Sequence, residues 1–344
     1  SRQPFGQTIM PVSGKSSLRA KVMKVLMIGG TGYLGYFSVW ELVRRGHQVI
    51  AMGLPPGPEP GYLPDEVALV LKNIDDLSDE DVLKLIDGCD AVVYGGGADG
   101  RNSFEPPAIA GYRQANVEPI RRLIPLMQQV GSKRLVILGS YYTALDRTFP
   151  LLRIAQQHPY VTSRLEQNQV AFELAGEDVA VAILELPYIF GAAPNRGTLW
   201  GFYIQQVQEQ EVVSVPAGGT ACVTARQVGA AVAAACDRIT GRKHYAIVED
   251  NLTYEQIYGL FADALQLKRT FEIVPLEKML ISARQQAQQM QSAAKVGGYD
   301  PVGMAQMQAT LLFLDPMPAI EALEYSRDDL AQAIRDTVEA TLKH

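Results

Sequence analysis

The feature that most constrains this chain is a short apolar run that ends in closely spaced glycines. Residues 25–35 read Val-Leu-Met-Ile-Gly-Gly-Thr-Gly-Tyr-Leu-Gly. Because glycine lacks a Cβ, such a turn lets the backbone reverse sharply, approach a pyrophosphate closely and aim the amino end of the next helix at its charge. We therefore predict a dinucleotide site formed by Gly29, Gly30, Thr31, Gly32, Tyr33, Leu34 and Gly35.

The flanking residues strengthen this prediction, since a glycine pattern alone is weak evidence in a chain with 30 glycines. Residues 32–45 have apolar positions at helical spacing, and Gly46 stands where a helix would stop. A second apolar strand is predicted at 47–52, immediately afterwards. The whole segment is thus typical of the first strand–helix–strand unit of a nucleotide-binding fold.

Strand and helix patterns alternate from Met23 to about Leu186, which predicts an α/β fold with a parallel sheet covered on both faces. The stretch 54–64 is rich in proline and glycine and is predicted to be a surface loop. The pattern as a whole indicates a doubly wound Rossmann fold. Its predicted strands are 24–29, 47–52, 67–72, 90–95, 133–139 and 179–185, and its predicted helices are 32–45, 79–87, 109–130 and 159–175.

Beyond Pro187 the pattern is looser. Helices are predicted at 226–238 and 254–266, with a strand at 244–248 between them. Thr253 and Gln256 have the spacing of a capping box at the start of the last helix. Residues 276–313 are rich in Gln and Met, which favours helical core packing over a flexible apolar substrate lid. We predict a disordered leader or tag at 1–22, a dinucleotide-binding domain at 23–186 with returning elements at about 222–249, and a smaller, mostly helical C-terminal substrate lobe at 187–344.

Composition narrows the classes of partner. The net charge of −6 gives no electrostatic reason to expect nucleic acid or an anionic membrane, and no apolar run approaches the roughly 18 residues of a membrane span. Cys89, Cys222 and Cys236 are widely separated, and neither CxxC spacing nor a histidine cluster accompanies them. We therefore expect no disulfide framework, no metal site and a cytoplasmic location.

Two further segments follow predicted strands and are suited to a dinucleotide. Asp76 and Leu77 come after the third strand, where a carboxylate can accept a hydrogen bond from the adenine amino group. Gly95, Gly96 and Gly97 come after the fourth strand, where a backbone without side chains lets a cofactor lie flat over the sheet edge. Both segments are predicted to bind the cofactor.

The chemistry-bearing residues follow the fifth strand. Tyr160 and Arg164 lie on one face of a predicted helix, so the cation can stabilise the phenolate and contact a ribose. Ser140, at the end of a strand, is placed to bond the same substrate oxygen. A tyrosine in such a setting is a sensible general acid or base for interconverting a carbinol and a carbonyl beside a nicotinamide.

At this point the chain resembles the extended short-chain dehydrogenase/reductase superfamily, specifically its NAD-dependent epimerase/dehydratase group. The resemblance runs from Val25 to about Thr253 and implies a Rossmann domain that binds NAD or NADP, a small-molecule substrate, and a homodimer as one option. It implies that Ser140 and Tyr160 are catalytic, that Asn116 supports them, and that Arg164, Pro187 and Ile189 contact the cofactor. The segments that carry it are Gly29–Gly35, Asp76–Asp79, Asn116-Val117, Leu138–Ser140, Tyr160–Arg164 with Glu166, and Leu186–Gly191.

Three residues depart from the family pattern. Arg164 stands where the family has lysine, and a guanidinium is effectively never deprotonated, so it cannot relay a proton. Gly53, at the end of the second strand, supplies neither an acid for a ribose hydroxyl nor a base for a 2′-phosphate, which leaves the choice between NAD and NADP open. Glu185 stands where the family often has arginine, which argues against a nucleotide-sugar substrate.

Four more residues lie where a substrate would pass in such a fold, namely Asp99, Arg101, Tyr141 and Tyr142. Each pair is equally well explained as a capped turn or as packed aromatic rings. The leading interpretation is an NAD(P)-dependent oxidoreductase for carbonyls or secondary alcohols. The alternatives are an epimerase or dehydratase acting on a sugar-like substrate, and a dinucleotide-binding sensor or scaffold in which Arg164 has abolished catalysis.

Overall fold

The computed structural model describes residues 21–343, so most of the predicted leader lies outside the described part of the chain. Its strands are β1 (Lys24–Ile28), β2 (Gln48–Gly53), β3 (Ala68–Leu71), β4 (Ala91–Tyr94), β5 (Ser103–Phe104), β6 (Arg134–Ser140), β7 (Ala180–Leu186), β8 (Tyr188–Phe190), β9 (Val212–Pro216), β10 (Gly219–Thr224), β11 (Arg242–Ala246), β12 (Asp250–Thr253), β13 (Thr270–Val274), β14 (Val296–Gly297) and β15 (Leu311–Leu312).

The α-helices of the same residues alternate with these strands in the first half of the chain and dominate the second half. They are α1 (Tyr33–Arg44), α2 (Asp79–Ile86), α3 (Ala108–Asn116), α4 (Glu118–Val130), α5 (Tyr142–Thr148), α6 (Ile154–Gln157), α7 (Pro159–Ala175), α8 (Gly201–Glu209), α9 (Ala225–Arg238), α10 (Tyr254–Ala264), α11 (Leu276–Met290), α12 (Pro301–Gln308), α13 (Met317–Leu323) and α14 (Leu330–Leu342).

A seven-stranded sheet forms the centre of the larger lobe, in the order β11-β7-β6-β4-β1-β2-β3. All of its pairings are parallel, with registers such as Met27 opposite both Ala51 and Val93. Strand order reverses between β1 and β4, and this is the switch point at which open α/β sheets bind their ligands. The predicted doubly wound fold is confirmed, and each of its six predicted strands is within one residue of its observed bounds.

Each face of the sheet carries its own apolar core. On one face, α1 and α9 pack over residues such as Met27 and Val93. On the other, α2, α4 and α7 cover residues such as Leu26 and Val92. Successive strand side chains point to opposite faces, so a strand buried on both sides must be apolar throughout, as β4 is. This explains why a central strand of the parallel sheet is a continuous apolar run in the sequence.

The predicted single helix at 109–130 is wrong, because two helices occupy this range. α3 ends at Asn116 and α4 begins at Glu118, with Pro119 in its first turn. Proline has no N–H to continue the hydrogen-bond ladder, and its ring restricts the residue before it, so the helix is interrupted here. The interruption places Asn116 at a helix end, where its side chain can contact the loop after β4.

The smaller lobe contains more strand than a mostly helical prediction implies. β10 pairs with β8, β12 and β15 in one sheet, and β9 and β13 form another. α8, α10 and α14 pack against these strands around a core that contains Phe190, Ile204 and Phe261. The capping box is confirmed at the start of α10, where Thr253 and Gln256 exchange side-chain and backbone hydrogen bonds.

Residues 276–313 behave in two ways. α11 lies on the surface with Ala283 as its buried residue, so the prediction of helical core packing is wrong for this helix. α12 is different, since Ala305 and Met307 are buried and Met307 belongs to the same core as Tyr160. β14, between them, pairs antiparallel with β5. The segment that follows β14 thereby comes to lie against Tyr160.

Candidate active site

The glycine turn after β1 has the shape that a bound pyrophosphate requires. Gly29 has φ +85°, and both Gly29 and Gly30 donate backbone hydrogen bonds to Met52 O, at 2.9 and 2.8 Å. A Cβ on Gly29 would lie 2.9 Å from Gly95 O, and one on Gly35 would collide with Gly29 O. The chain can therefore turn tightly here and present the amino end of α1 to a ligand.

A cleft of about 690 Å³ opens beside this turn at the carboxyl edge of the sheet. Its walls come from the glycine turn, the end of β2, the proline-rich loop, the turn after β3 and the loop after β4. Of the residues predicted to bind a cofactor, it is lined by Gly29, Thr31, Gly32, Gly95, Gly96 and Gly97. The size, the glycine walls and the position at the switch point fit a dinucleotide.

Several other residues that were predicted to bind the cofactor do not line the cleft. Tyr33 is partly buried and its hydroxyl donates to Gly191 O, and desolvation of the hydroxyl raises its pKa well above the usual value. Leu34 packs against the core of the sheet. Gly30 belongs to the turn itself, Pro187 connects β7 to β8, and Ile189 is the middle residue of β8. The assignments of these residues to the cofactor stay predictions.

The turn after β3 brings a neighbouring acid to the cleft. Asp75 lines it together with Asn73 and Ile74, whereas Asp76 and Leu77 come next in the chain and are outside the lining. Burial raises the pKa of Asp75. Sequence spacing could not distinguish adjacent acids, because a single turn of 3₁₀ helix decides which one faces the ligand.

Tyr160 and Arg164 form a unit on the first turns of α7. The Arg164 guanidinium carbon lies 5.4 Å from the centre of the Tyr160 ring, and both side chains are buried. Arg164 donates to Gln167 Oε1 at 2.9 Å and to Ala98 O at 3.3 Å. Ala98 directly follows the glycines that line the cleft, so the cation connects the tyrosine to the cofactor side of the sheet.

Asn116 fixes this arrangement from α3. Its Oδ1 accepts from Ala98 N at 2.8 Å, and its Nδ2 donates to Ser163 Oγ at 3.0 Å. Gly97 has φ +100°, and a Cβ there would collide with Asn116 Oδ1. Asn116 is completely buried and so holds the loop after β4 against the helix that carries Tyr160. It is a positioning residue in this structure.

Ser140 lies at the end of β6, next to the tyrosine cluster. Its Oγ accepts from Tyr142 N at 3.3 Å, and the ring centres of Tyr142 and Tyr160 are 6.5 Å apart. Burial raises the pKa of Tyr142 to about 12. Tyr141 instead turns its hydroxyl to Thr220 Oγ1, at 2.9 Å. Of the two predicted substrate tyrosines, the structure thus places Tyr142 beside Tyr160 and uses Tyr141 as a bridge to the smaller lobe.

Asp99 and Arg101 pair with each other at the mouth of this region. Burial acts to raise the pKa of Asp99, but hydrogen bonds from Arg101 outweigh it and lower the pKa. Tyr112, whose ring centre is 5.9 Å from that of Tyr160, bonds its hydroxyl to the carbonyl of Asn102 in the same turn. The pair therefore stabilises a capped turn, and its contact with substrate stays a prediction.

Glu185 is part of a buried network instead of a substrate site. It is 1% exposed, and Arg147 donates to its Oε2 at 2.7 Å. Burial acts to raise its pKa, and hydrogen bonds from His244, Arg147 and Thr143 lower it. Thr143 Oγ1 also lies 2.9 Å from Ser140 O. The carboxylate consequently fixes α5 and the end of β6, which carry Tyr142 and Ser140.

Residues 298–300 cover Tyr160, and this contact was not predicted from the sequence. Tyr160 N donates to Gly298 O at 3.2 Å, and Asp300 N donates to His158 Nδ1 at 2.9 Å. The ring centre of Tyr299 is 5.6 Å from that of Tyr160. The only signal was the pair Gly297-Gly298 within a Gln- and Met-rich stretch. That pair could not reveal its partner, about 140 residues earlier in the chain.

An apolar cavity and a groove extend from this segment into the smaller lobe. The groove, of about 660 Å³, runs under α11 and includes Tyr299 and Gly297 in its walls. It shares Val274, Met279 and Gln308 with a cavity of about 320 Å³. Half of the residues that line the cavity are aromatic, namely Tyr188, Trp200, Phe202, Tyr203, Tyr254, Tyr258 and Phe261.

Residues 21–343 also bear on metal sites, disulfides and membrane-spanning helices. No group of three or more His, Cys, Asp or Glu side chains is placed to hold a metal ion there. Cys89, Cys222 and Cys236 are buried thiols without disulfide partners among these residues. In the same part of the chain, no helix combines the length and apolarity needed to cross a membrane.

Comparison with known proteins gives partial relatives. The chain is 28% identical to a 3-beta-hydroxysteroid dehydrogenase of Mycolicibacterium neoaurum over 134 residues, which are 37% of this chain and 34% of that protein. It is 30% identical to a 2-alkyl-3-oxoalkanoate reductase of Stenotrophomonas maltophilia (strain K279a) over 175 residues, which are 48% and 49% of the two chains. The chain thus matches at most about half the length of these curated relatives.

The same fold is found in solved structures. A UDP-N-acetylglucosamine 4-epimerase from Bacillus cereus superposes with a TM-score of 0.64 at 15% identity, covering 93% of this chain and 96% of that one. The model of the NAD dependent epimerase/dehydratase family matches residues 25–247, the part that contains the glycine turn, Tyr160 and β11. The predicted resemblance and coenzyme class are confirmed by this match. This chain belongs to the NAD dependent epimerase/dehydratase family.

Proposed function

We propose that the protein is an NAD(P)-dependent oxidoreductase that interconverts a carbonyl and a secondary alcohol. Tyr160 is the proton donor and acceptor, Ser140 orients the substrate oxygen, and Arg164 stabilises the phenolate. The observation that carries the proposal is the contact between Tyr160 and Arg164. Arg164 also donates a hydrogen bond to Ala98 O, at the edge of the cofactor cleft. A tyrosine in contact with a cation and next to a dinucleotide cleft is suited to proton transfer.

In the direction of reduction, a nicotinamide held by the glycine turn and Gly95–Gly97 would supply the hydride that reduces the carbonyl carbon. The Tyr160 hydroxyl donates its proton to the oxygen, and the resulting phenolate is stabilised by the positive charge of Arg164. Arg164 keeps its own proton, so the proton lost by Tyr160 returns from water. Oxidation of the alcohol runs through the same atoms in reverse.

The shape of the smaller lobe supports an apolar substrate. The aromatic cavity and the groove under α11 share Met279 in their walls, and the groove is also lined by Tyr299, whose ring packs against that of Tyr160. The aromatic rings of the cavity can bury apolar surface of a substrate, while Ser214, Gln308 and the tyrosine hydroxyls offer it hydrogen bonds. The names of the two curated relatives describe enzymes for a steroid and for an alkyl oxoalkanoate, which agrees with this inference.

The substitution Tyr160→Phe tests the proposed acid and base. It removes the hydroxyl and keeps the ring, so kcat/KM for any carbonyl that the parent reduces should fall by roughly 10²–10⁴-fold. The Kd of the coenzyme should stay within about threefold, because the ring and Arg164 remain. Turnover is measured with a panel of cyclic and long-chain apolar ketones, and binding by calorimetry.

Tyr112→Phe is the matched control. It removes a neighbouring hydroxyl that is bonded to Asn102 O, in the same cluster of rings. We expect this variant to keep most of the parent activity. Equal losses in Tyr112→Phe and Tyr160→Phe would contradict the proposed role of Tyr160, because a general disturbance of the cluster would then explain both.

The epimerase or dehydratase alternative uses the same tyrosine with no net redox change. It is favoured by the family to which the chain belongs, and it predicts conversion of a sugar-like substrate without accumulation of reduced nicotinamide. The sensor or scaffold alternative predicts coenzyme binding without turnover of any substrate in the panel. Either outcome with well-folded protein would replace the proposed oxidoreductase.

A further inference from the structure

We infer that the cleft recognises the 2′-phosphate of its coenzyme through Arg196 and Lys72, so that NADP(H) is preferred over NAD(H). The inference rests on the proposed function, since it assumes that the cleft holds a dinucleotide. Neither residue was identified from sequence. They lie far apart in the chain and both line the cleft.

Gly53 marks where the ribose of the adenosine should lie. In this fold the residue at the end of the second strand contacts the ribose 2′-oxygen, and an acid there selects NAD. A Cβ on Gly53 would collide with Thr31 Oγ1, so this position has no room for a carboxylate side chain. Thr31 itself is buried, lines the cleft and brings a hydroxyl donor to the same place.

Arg196 approaches this place from the loop after β8. Its Nη2 donates to Thr31 O, and its guanidinium carbon lies 5.6 Å from the centre of the Tyr62 ring. Tyr62 is in turn fixed, because Trp40 Nε1 donates to its carbonyl at 3.0 Å. A guanidinium held in this way still has N–H groups that can bind a phosphate in a fork.

Lys72 approaches from the other side. It follows Leu71, the last residue of β3, and Leu71 is paired with Gly53 in the sheet. Lys72 and Arg196 therefore flank the end of β2 on two sides. Neither forms an ion pair with a carboxylate among residues 21–343, so both charges can act on a ligand.

Two carboxylates line the same cleft and set the alternative. Asp75 belongs to the turn after β3, on the side assigned to the adenine. Glu59 is an exposed residue of the proline-rich loop and could accept hydrogen bonds from the ribose hydroxyls of NAD. If Glu59 dominated the site, NAD would bind better than NADP, and Glu59→Gln would weaken NAD binding.

Calorimetry on the full chain separates these cases. Parent protein, Arg196→Gln, Arg196→Lys and Glu59→Gln are titrated with NADP⁺ and NAD⁺, and also with adenosine 2′,5′-bisphosphate and 5′-AMP, which isolate the 2′-phosphate. A charge-assisted hydrogen bond to phosphate implies about tenfold or greater preference for the 2′-phosphorylated ligand of each pair in the parent. Arg196→Gln should remove most of this preference, leave NAD⁺ binding within about threefold, and be partly rescued by Arg196→Lys.

Arg335→Gln is the matched control, because its guanidinium donates to Gln332 on its own helix and is outside the cleft lining. It should retain the parent preference. Equal affinity of the parent for NAD⁺ and NADP⁺, an unchanged preference in Arg196→Gln, or a loss of NAD⁺ binding in Glu59→Gln would overturn the inference while leaving the proposed function intact. Binding of neither coenzyme to well-folded protein would overturn both.

Discussion

His158 shows how a single side chain can hold residues 298–300 against the start of α7. It immediately precedes α7, is 1% exposed, and accepts the Asp300 backbone hydrogen bond at Nδ1. That role requires a neutral imidazole, because a protonated Nδ1 would become a donor and face another donor. Burial lowers the pKa of His158 to about 4. The residue thus couples the attachment of residues 298–300 to pH.

The sign of the resulting pH dependence follows from linkage. The unfolded chain binds a proton at His158 near pH 6.5, while the folded chain does so only near pH 4. The folded state is therefore favoured fully above pH 6.5, and we expect up to about 3 kcal/mol of the free energy of unfolding to be lost as the pH falls from 6.5 to 4.

Urea denaturation of the parent and of His158→Gln across this range measures the effect. Glutamine can accept the same backbone hydrogen bond and does not titrate, so the slope of unfolding free energy against pH should be smaller in the variant. The difference between the two proteins above pH 7 gives the cost of the substitution that does not depend on pH. Parallel curves from pH 7 to pH 4 would contradict the assignment.

At the scale of elements, the contact between α1 and α9 depends on one glycine. A Cβ on Gly229 of α9 would lie 2.6 Å from Phe37 O of α1. Backbone cannot move aside as a flexible side chain can, so Gly229→Ala should force the helices apart and reduce the free energy of unfolding by roughly 1–3 kcal/mol.

Gly259→Ala is the matched comparison. Gly259 is also inside a helix, α10, but a Cβ there would meet only the Phe271 ring, at 4.0 Å. This substitution should stabilise the protein by about 0.5–1 kcal/mol, because alanine favours helix and reduces the entropy of the unfolded chain. Thermal or denaturant unfolding gives both values, and effects of the same sign would show that helix propensity, not packing, decides.

The segment after β14 offers a second test at this scale. A Cβ on Gly298 would lie 2.6 Å from Tyr160 Cβ and 2.5 Å from the Tyr112 hydroxyl, whereas one on Gly297 would meet nothing closer than Gly100 O, at 3.6 Å. Gly298→Ala should therefore displace the segment, and Gly297→Ala should not. Hydrogen exchange at the Tyr160 and Asp300 amides is expected to accelerate at least about tenfold in the first variant alone. Similar exchange in both would refute the proposed fit.

The comparison between sequence and structure has a physical pattern. Six strands of the sheet, β1–β4, β6 and β7, could be predicted to within a residue, because most of them are buried on both faces and so leave a local, continuous apolar signal. The edge strand β11 (Arg242–Ala246) was predicted two residues too late, at 244–248. The glycine turn and the order Ser140, Tyr160, Arg164 are also local. Arg196, Lys72 and Tyr299 could not be found in this way, because they reach the site through tertiary contacts between distant segments. The turn that favoured Asp75 over Asp76 was too short to leave a periodic signal.

At the scale of the whole molecule, both lobes contribute residues to the surroundings of Tyr160. Tyr160 lies in one core with Tyr112 from the larger lobe and with Met307 and Leu312 from the C-terminal third. Tyr141 adds a hydrogen bond across to Thr220. Movement of the smaller lobe would consequently be transmitted to the tyrosine cluster by direct packing.

Coenzyme binding should therefore stabilise the folded protein as a unit. At a free concentration of 100 times its Kd, a ligand that binds only the folded state adds about 2.7 kcal/mol to the free energy of unfolding. We expect one cooperative unfolding transition that moves to higher temperature with coenzyme, measured by scanning calorimetry with 5′-AMP as the weaker-binding control. Independent shifts of two transitions would mean that the lobes unfold separately.

The position of residues 298–300 against Tyr160 also has a consequence for biosynthesis. Once β11 has been translated, every strand of the seven-stranded sheet has been synthesised, yet the residues that cover Tyr160 are still to be made. During that interval the nascent chain contains the glycine turn and Tyr160, but not the residues that cover Tyr160. In the order of translation, the last third of the polypeptide therefore supplies the residues that close over Tyr160.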